Sequence, residues 1–173
     1  MSDIDVIGLY QGIKRRALRL ETRQRYAVPW EKEGLAAWRQ GEPEPTTPQR
    51  ESTMETLCMV TQSGRRIGRV RFVELPFTEY TRHEFEVAYP RTTAAGEEIH
   101  VLDRALHPEF DHVRDDFVVF DDTSVMWYRY TDDDVLTGYD YSEEPDVVRE
   151  CVKLAEEVRA AAVPYREFIA RRR

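Results

Sequence analysis

Arg71, Glu74, Tyr80, Arg82, Glu84 and Glu97 have the side-chain types and the spacing that binding or acid–base chemistry needs. Arg71 and Glu74 lie on an alternating run that ends at Pro76. Tyr80, Arg82 and Glu84 follow on a helix-like run, and Glu97 precedes the next alternating run. If strand and helix pack together, Arg71 and Arg82 face Glu84 or Glu97 across a groove. A planar guanidinium there offers paired donors to an anion or another polar ligand. Acid–base work would need one carboxylate with a raised pKa. The ordinary alternative is a network of ion pairs that only satisfies its own charges.

Other constellations offer less. His107, Asp111, His112, Asp115 and Asp116 are metal-ligand types in one short stretch, but their spacing matches no metal motif, so neither a metal nor a cofactor is expected. Asp132-Asp133-Asp134 lacks the later Gly and Glu of a calcium loop and reads as a hairpin turn. There is no Gly-x-Ser-x-Gly, no Gly-x-x-x-x-Gly-Lys-Ser/Thr, no His-Glu-x-x-His and no Gly-x-Gly-x-x-Gly. The common hydrolase, nucleotide-binding and zinc-protease signatures are therefore missing. Trp30, Trp38, Trp127 and the tyrosines read as core or interface anchors.

The elements that would position these residues follow from periodicity. Residues 3–14 predict a short helix, and 16–22 alternate as an extended segment that need not join a sheet. Pro29 opens a helix that stops at Gly41, and the three prolines of 42–48 make a loop. Residues 51–63 resume helical spacing. At 67–75 the period changes to two, with Ile67, Arg69, Arg71 and Val73 on one side and Gly68, Val70, Phe72 and Glu74 on the other. A helix over 78–88 follows, capped by Thr78, with a second capping arrangement at Thr81 and Glu84, and closed by Pro90. Strands are predicted at 99–102, 117–120, 124–130 and 135–141, the last three as an antiparallel meander. Pro145 starts a long last helix, which Pro164 should interrupt before the basic end at 171–173.

Charge is unevenly spread. Residues 1–76 carry 13 Lys and Arg against 10 Asp and Glu, whereas 77–150 carry 6 against 20. An acidic second half repels a phosphate backbone, so direct duplex binding is disfavoured. The basic run Lys14, Arg15, Arg16, Arg19, Arg23 and Arg25 reads as a solvated face. Cys58 and Cys151 are far apart without Cys-x-x-Cys spacing, as expected of reduced, buried thiols in a cytoplasmic protein. No apolar run approaches a membrane span.

Three blocks, RLETRQRYAVPWEKEGLAAWRQGEP at 19–43, RVRFVELPFTEYTRHEFEVAYPRTTAAGEEIHVLD at 69–103 and DFVVFDDTSVMWYRY at 116–130, resemble an uncharacterised family of small actinobacterial proteins described as a domain of unknown function. The resemblance implies a partner, since such proteins are often encoded beside helix-turn-helix regulators of a toxin-antitoxin-like kind. The expected fold is one α+β domain over 1–173, with a helical part, 1–63, packing on an α/β core, 64–173. Its sheet is expected to have about five mostly antiparallel strands, flanked by helices including a long C-terminal one. The expected function is a non-enzymatic regulatory or interaction protein. The rivals are a toxin-like effector or enzyme acting on a phosphate-bearing or nucleic-acid substrate through the Arg/Tyr/Glu groove, and a small-ligand sensor using the same groove.

Overall fold

The structure, a computed structural model, describes residues 4–172. Asp3, at the start of the expected first helix, and Arg173, at the basic end, lie outside them. The strands are β1 (Arg16–Glu21), β2 (Arg66–Val73), β3 (Glu98–Asp103), β4 (Phe117–Phe120), β5 (Ser124–Tyr130), β6 (Leu136–Ser142) and β7 (Val163–Pro164). Among the described residues they form one sheet in the order β6-β5-β4-β1-β2-β3-β7. The helices are α1 (Val6–Gly12), α2 (Lys32–Arg39), α3 (Pro48–Gln62), α4 (Glu79–His83), α5 (Tyr89–Ala94), α6 (Pro145–Ala161) and α7 (Tyr165–Ala170).

The sheet is larger than five strands and mixed in direction. β4, β5 and β6 form the expected antiparallel meander, but β1 pairs parallel with β2, and β2 pairs parallel with β3. Parallel neighbours need a crossover long enough to return the chain, and α2–α3 and α4–α5 supply it. The segment at 16–22, expected to be extended without necessarily joining the sheet, contributes its central strand, because β1 also pairs with β4. β7 adds a short antiparallel edge against β3 exactly where Pro164 interrupts the C-terminal helices.

The two faces of the sheet differ. On one, Leu18, Leu20, Val70, Phe72, Leu102, Phe117, Val119 and Val125 pack with Val148, Ala155 and Val158 of α6 as an unbroken apolar cluster. On the other, apolar side chains occupy only the two ends. One cluster, around Ala17, Ile67, Val118, Phe120 and Met126, is covered by Leu57 and Val60 of α3. The second joins Val73, Ile99 and Val101 to Phe85, Tyr89, Tyr165 and Phe168. Between them the central strands present Arg19 and Glu21 beside Arg69 and Arg71, in the register Arg19↔Arg69 and Glu21↔Arg71.

Local chemistry sets the elements over this gap. Thr78 caps α4, its hydroxyl accepting from the Thr81 amide at 3.1 Å. Thr81, the second capping candidate, lies inside the helix and donates to the Gln24 carbonyl instead. Pro90 does not close the helix. A π-helical turn over Glu84–Ala88 intervenes, with the Tyr89 amide reaching back to the Glu84 carbonyl, and Pro90 falls in the first turn of α5, where a missing N–H costs little. The widened turn lets His83, Glu84 and Phe85 all be buried in succession. Gly96, with φ 97°, turns the chain into β3; a Cβ there would meet Thr61 at 2.9 Å. The hairpin turns are acidic as expected, with left-handed backbone at Asp121, Asp122 and Asp134. Cys58 and Cys151 are free and half-buried. No helix among the described residues is long and apolar enough to cross a membrane.

Candidate functional site

The gap between the two apolar clusters is a cavity of about 390 Å³. Its floor is Arg19, Glu21 and Arg69 of the central strands, with Glu97 just before β3. Tyr128, Tyr130 and Tyr139 of the meander wall one side, and Tyr80 and Glu84 the other. Tyr10 of α1, Thr53 and Thr56 of α3, and residues 26–31 close over it. That last segment is tied down at its N-terminal end. The Gln24 side chain donates to the Phe72 carbonyl at 3.3 Å and accepts from the Glu74 amide at 2.9 Å. The Ala27 amide donates to the Asp134 carbonyl at 3.0 Å. Around the cavity Ile7, Trp30 and Val135 are exposed by 43%, 45% and 43%, an apolar rim drawn from three separate elements.

The charges form a chain. Glu21 receives Arg69 at 2.9 Å and lies 3.1 Å from Arg19, while Arg69 also donates to Glu97 at 2.9 Å. Arg71, fully buried, lies 2.8 Å from Glu84 and 5.0 Å over the Tyr26 ring. Arg19 stacks on Tyr128 at 4.1 Å. Tyr26 donates to Asp116 at 2.5 Å, and Tyr80 to Glu31 at 2.7 Å. Several buried polar atoms have no hydrogen-bond partner among the described residues: Nε and Nη1 of Arg71, Oε2 of Glu84 and of Glu97, Nε of Arg19 and Oγ1 of Thr92. The Arg71–Glu84 contact is thus an ion pair without hydrogen-bond alignment.

Environment splits the carboxyl groups. Burial opposes ionisation of Glu21, but Arg19, Arg69 and Arg71 outweigh it and hold the group at about 2. At Glu84 burial wins over Arg71, and with Glu21 and Glu31 nearby the carboxyl is pushed up to about 8. Glu31 is raised for the same first reason, partly offset by the Tyr80 hydrogen bond. Burial also raises the phenols of Tyr26, Tyr80 and Tyr89. A smaller adjoining space of about 130 Å³ shares Glu31, Arg69 and Glu84 and holds Glu44, which accepts from Arg50 and Arg91 at 2.7 Å each. His83, 3.3 Å from Glu44, is pushed down by burial.

Of the residues the sequence singled out, Tyr80, Glu84 and Glu97 line the cavity and Arg71 stands directly behind Glu84. Glu74 and Arg82 lie outside. Strand alternation turns Glu74 to the opposite side from Arg71, where it is exposed and 3.6 Å from Arg104. Arg82 is exposed and lies over Trp38 at 5.9 Å, and Glu86, four residues on, accepts from the Trp38 indole at 2.9 Å. Sequence reasoning missed Arg19, Glu21, Glu31, Arg69 and the tyrosine wall. The available signal was charge at i, i+2 within otherwise apolar strands, Arg19/Glu21 and Arg69/Arg71, which marks a charged inward face. The 107–116 stretch gathers no metal set: no group of three or more His, Cys, Asp or Glu among the described residues is arranged to hold one.

Fold and site together define a mixed-sheet α+β protein with a buried, charged and aromatic cavity at the centre of one sheet face. Residues 5–170 match the family described as a domain of unknown function, DUF6879, and the chain belongs to that family. No curated protein matches it.

Proposed function

We propose that this is a non-enzymatic regulatory protein that senses a small molecule in the central cavity. The observation that carries the reading is the position of the cavity: charged side chains fill the middle of a sheet face whose two ends are apolar, where packing alone would favour continuing the core. Its volume falls in the range of small-ligand sites. The output would pass to a protein partner, for which the helix-turn-helix regulator implied by the resemblance is the candidate. An effector acting on phosphate-bearing substrates has less support, because the guanidinium groups that would hold phosphate are already engaged by Glu21, Glu84 and Glu97.

Ligand-dependent thermal stabilisation tests this. A compound at a hundred times its Kd contributes about 2.7 kcal/mol, which raises the Tm of a domain this size by roughly 5–10 °C. Thr53→Trp, at an exposed helix position on the cavity wall, should fold normally and abolish the shift. If no compound in a broad metabolite panel raises the Tm, or if Thr53→Trp leaves every shift intact, the reading fails.

A further inference from the structure

The cavity's unmet polar groups indicate what it would take, on the reading that it binds a small molecule. Three guanidinium groups reach the site, and each already has a carboxylate: Arg19 lies 3.1 Å from Glu21, Arg69 2.9 Å from both Glu21 and Glu97, and Arg71 2.8 Å from Glu84. All three also lie over tyrosine rings, Arg19 over Tyr128, Arg69 over Tyr89 and Arg71 over Tyr26. At the rim, Asp134 is held by Arg23 and Arg25 at 2.5 Å each. An arriving anion would have to displace a protein carboxylate from each of these pairs.

The carboxylates are in surplus. Glu31 lines the cavity with a tyrosine hydroxyl as its hydrogen-bond partner, and no guanidinium or ammonium forms an ion pair with it among the described residues. Glu97, 5% exposed, keeps Oε2 without a partner among the described residues, and Glu84, 6% exposed, does likewise apart from its unaligned ion pair. Tyr80 and Trp30 flank Glu31 on the cavity wall, and no protein cation stacks on either ring among the described residues. Buried carboxyl oxygens without donors, beside aromatic rings that no protein cation occupies, are the two features that recognise an organic cation: charged N–H groups meet the carboxylates while the ring quadrupoles attract the charge.

We infer that the cavity binds a small organic cation of the amine or amidine class, seated against Glu31, Glu84 and Glu97 between Tyr80 and Trp30. Its hydrocarbon or aromatic body lies along the wall of Tyr128, Tyr130 and Tyr139.

The test uses the full chain at pH 8 with benzamidine and phenethylamine, their anionic counterpart benzoate, inorganic phosphate, and the neutral benzyl alcohol, read by thermal shift and calorimetry. The cations should stabilise and bind, and the anions and the alcohol should not. Glu31→Gln should weaken binding of the cations roughly ten- to a hundredfold, the scale of one charge-assisted hydrogen bond. Its ligand-free Tm, measured alongside, separates weakened binding from misfolding. If benzoate or phosphate binds and the cations do not, or if benzyl alcohol binds as well as benzamidine, the cation assignment is overturned while the sensor reading stands. If none of the five binds, the cation assignment again falls, and the sensor reading then rests on the broader panel and the Thr53→Trp variant.

Discussion

Replacing both members of the buried pair Arg71 and Glu84 should leave the protein at least as stable as before, although removing Glu84 alone should be severe. Arg71 is 0% exposed, and its Nε and Nη1 lack hydrogen-bond partners among the described residues, so above the Glu84 value of about 8, where both groups are ionised, the pair bears the desolvation of two ions without the geometry that would offset it. Glu84→Leu leaves that guanidinium buried beneath Tyr26 without its nearest counter-charge, a loss of about 3–5 kcal/mol. Arg71→Met removes the charge that lowers the Glu84 carboxyl, which then escapes most of the penalty by holding its proton even at about pH 9, so a loss of about 1–3 kcal/mol is expected there. The double variant Arg71→Met/Glu84→Leu removes both desolvation penalties and joins the Val73–Phe85–Tyr89 cluster to the rest of the face. It should range from neutral to about 4 kcal/mol more stable.

The assay is urea unfolding at about pH 9, where the Glu84 carboxyl is ionised in the parent protein, followed by tryptophan fluorescence, with m-values compared across the four proteins so that a change in the unfolded state is not mistaken for stability. The expected signature is a coupling energy of at least about 3 kcal/mol between the two sites. If the double variant loses the sum of the single losses within about 0.5 kcal/mol, the pair is a net structural support and the reasoning is wrong.

Glu84 and Glu21 should also set the pH profile. The folded-state pKa of Glu84, about 8, lies above its unfolded value of 4.5, so the native state keeps a proton that the unfolded chain has released, and stability falls as pH rises from about 4.5 through 8. Glu31, also raised, adds to the same slope. Glu21, held at about 2, acts oppositely: its stabilisation is present above 4.5 and is lost as pH falls through about 2. Unfolding measured across pH should therefore show a maximum near about pH 5, and Glu84→Gln should flatten the alkaline limb; an unchanged limb in that variant would refute the assignment. At the β4–β5 turn, the Asp121 carboxylate accepts the backbone amides of Lys14, Arg15 and Arg16 at 2.6, 2.7 and 2.9 Å. Asp121→Ala should cost about 2–4 kcal/mol in urea unfolding, and Asp121→Asn, which tolerates the left-handed backbone and keeps one acceptor, about half as much.

The parts of the fold that were legible in the sequence are those whose periodicity carries the whole signal. The meander at 117–142 announces itself through apolar strands parted by acidic turns, and α6 through an unbroken 3.6-residue stripe. β1 was underread because both its faces are buried yet only one is apolar; Arg19 and Glu21 look like the solvent side of an extended segment until Arg69 and Arg71 are placed beside them. The parallel direction of β1, β2 and β3 was not legible, since it follows from how α2–α3 and α4–α5 carry the chain back, and β7 is only two residues long. The site was half legible for a related reason. Arg71, Tyr80, Glu84 and Glu97 lie in one contiguous stretch and come together once its strand, helix and loop fold. Glu21, Glu31 and Tyr128 join them from other segments, through a register that no local pattern encodes.

What separates this cavity from an ordinary packing defect is that three costly local features coincide on it. The π-helical turn breaks the hydrogen-bond ladder of the α4–α5 run at Glu84, the residue whose carboxyl burial displaces furthest upward. The sheet places Arg19 beside Arg69, a repulsion relieved by Glu21, which both contact, and by Glu97 against Arg69. The rim leaves Ile7, Trp30 and Val135 in water. Each could be removed singly by an ordinary sequence change: a residue deleted from the helix, a Leu for an Arg, a Ser for a Trp. They come from elements far apart in the chain, so no single accident of folding produces all three. A requirement at the shared cavity accounts for them together, and the Arg71/Glu84 cycle measures how much stability that requirement costs.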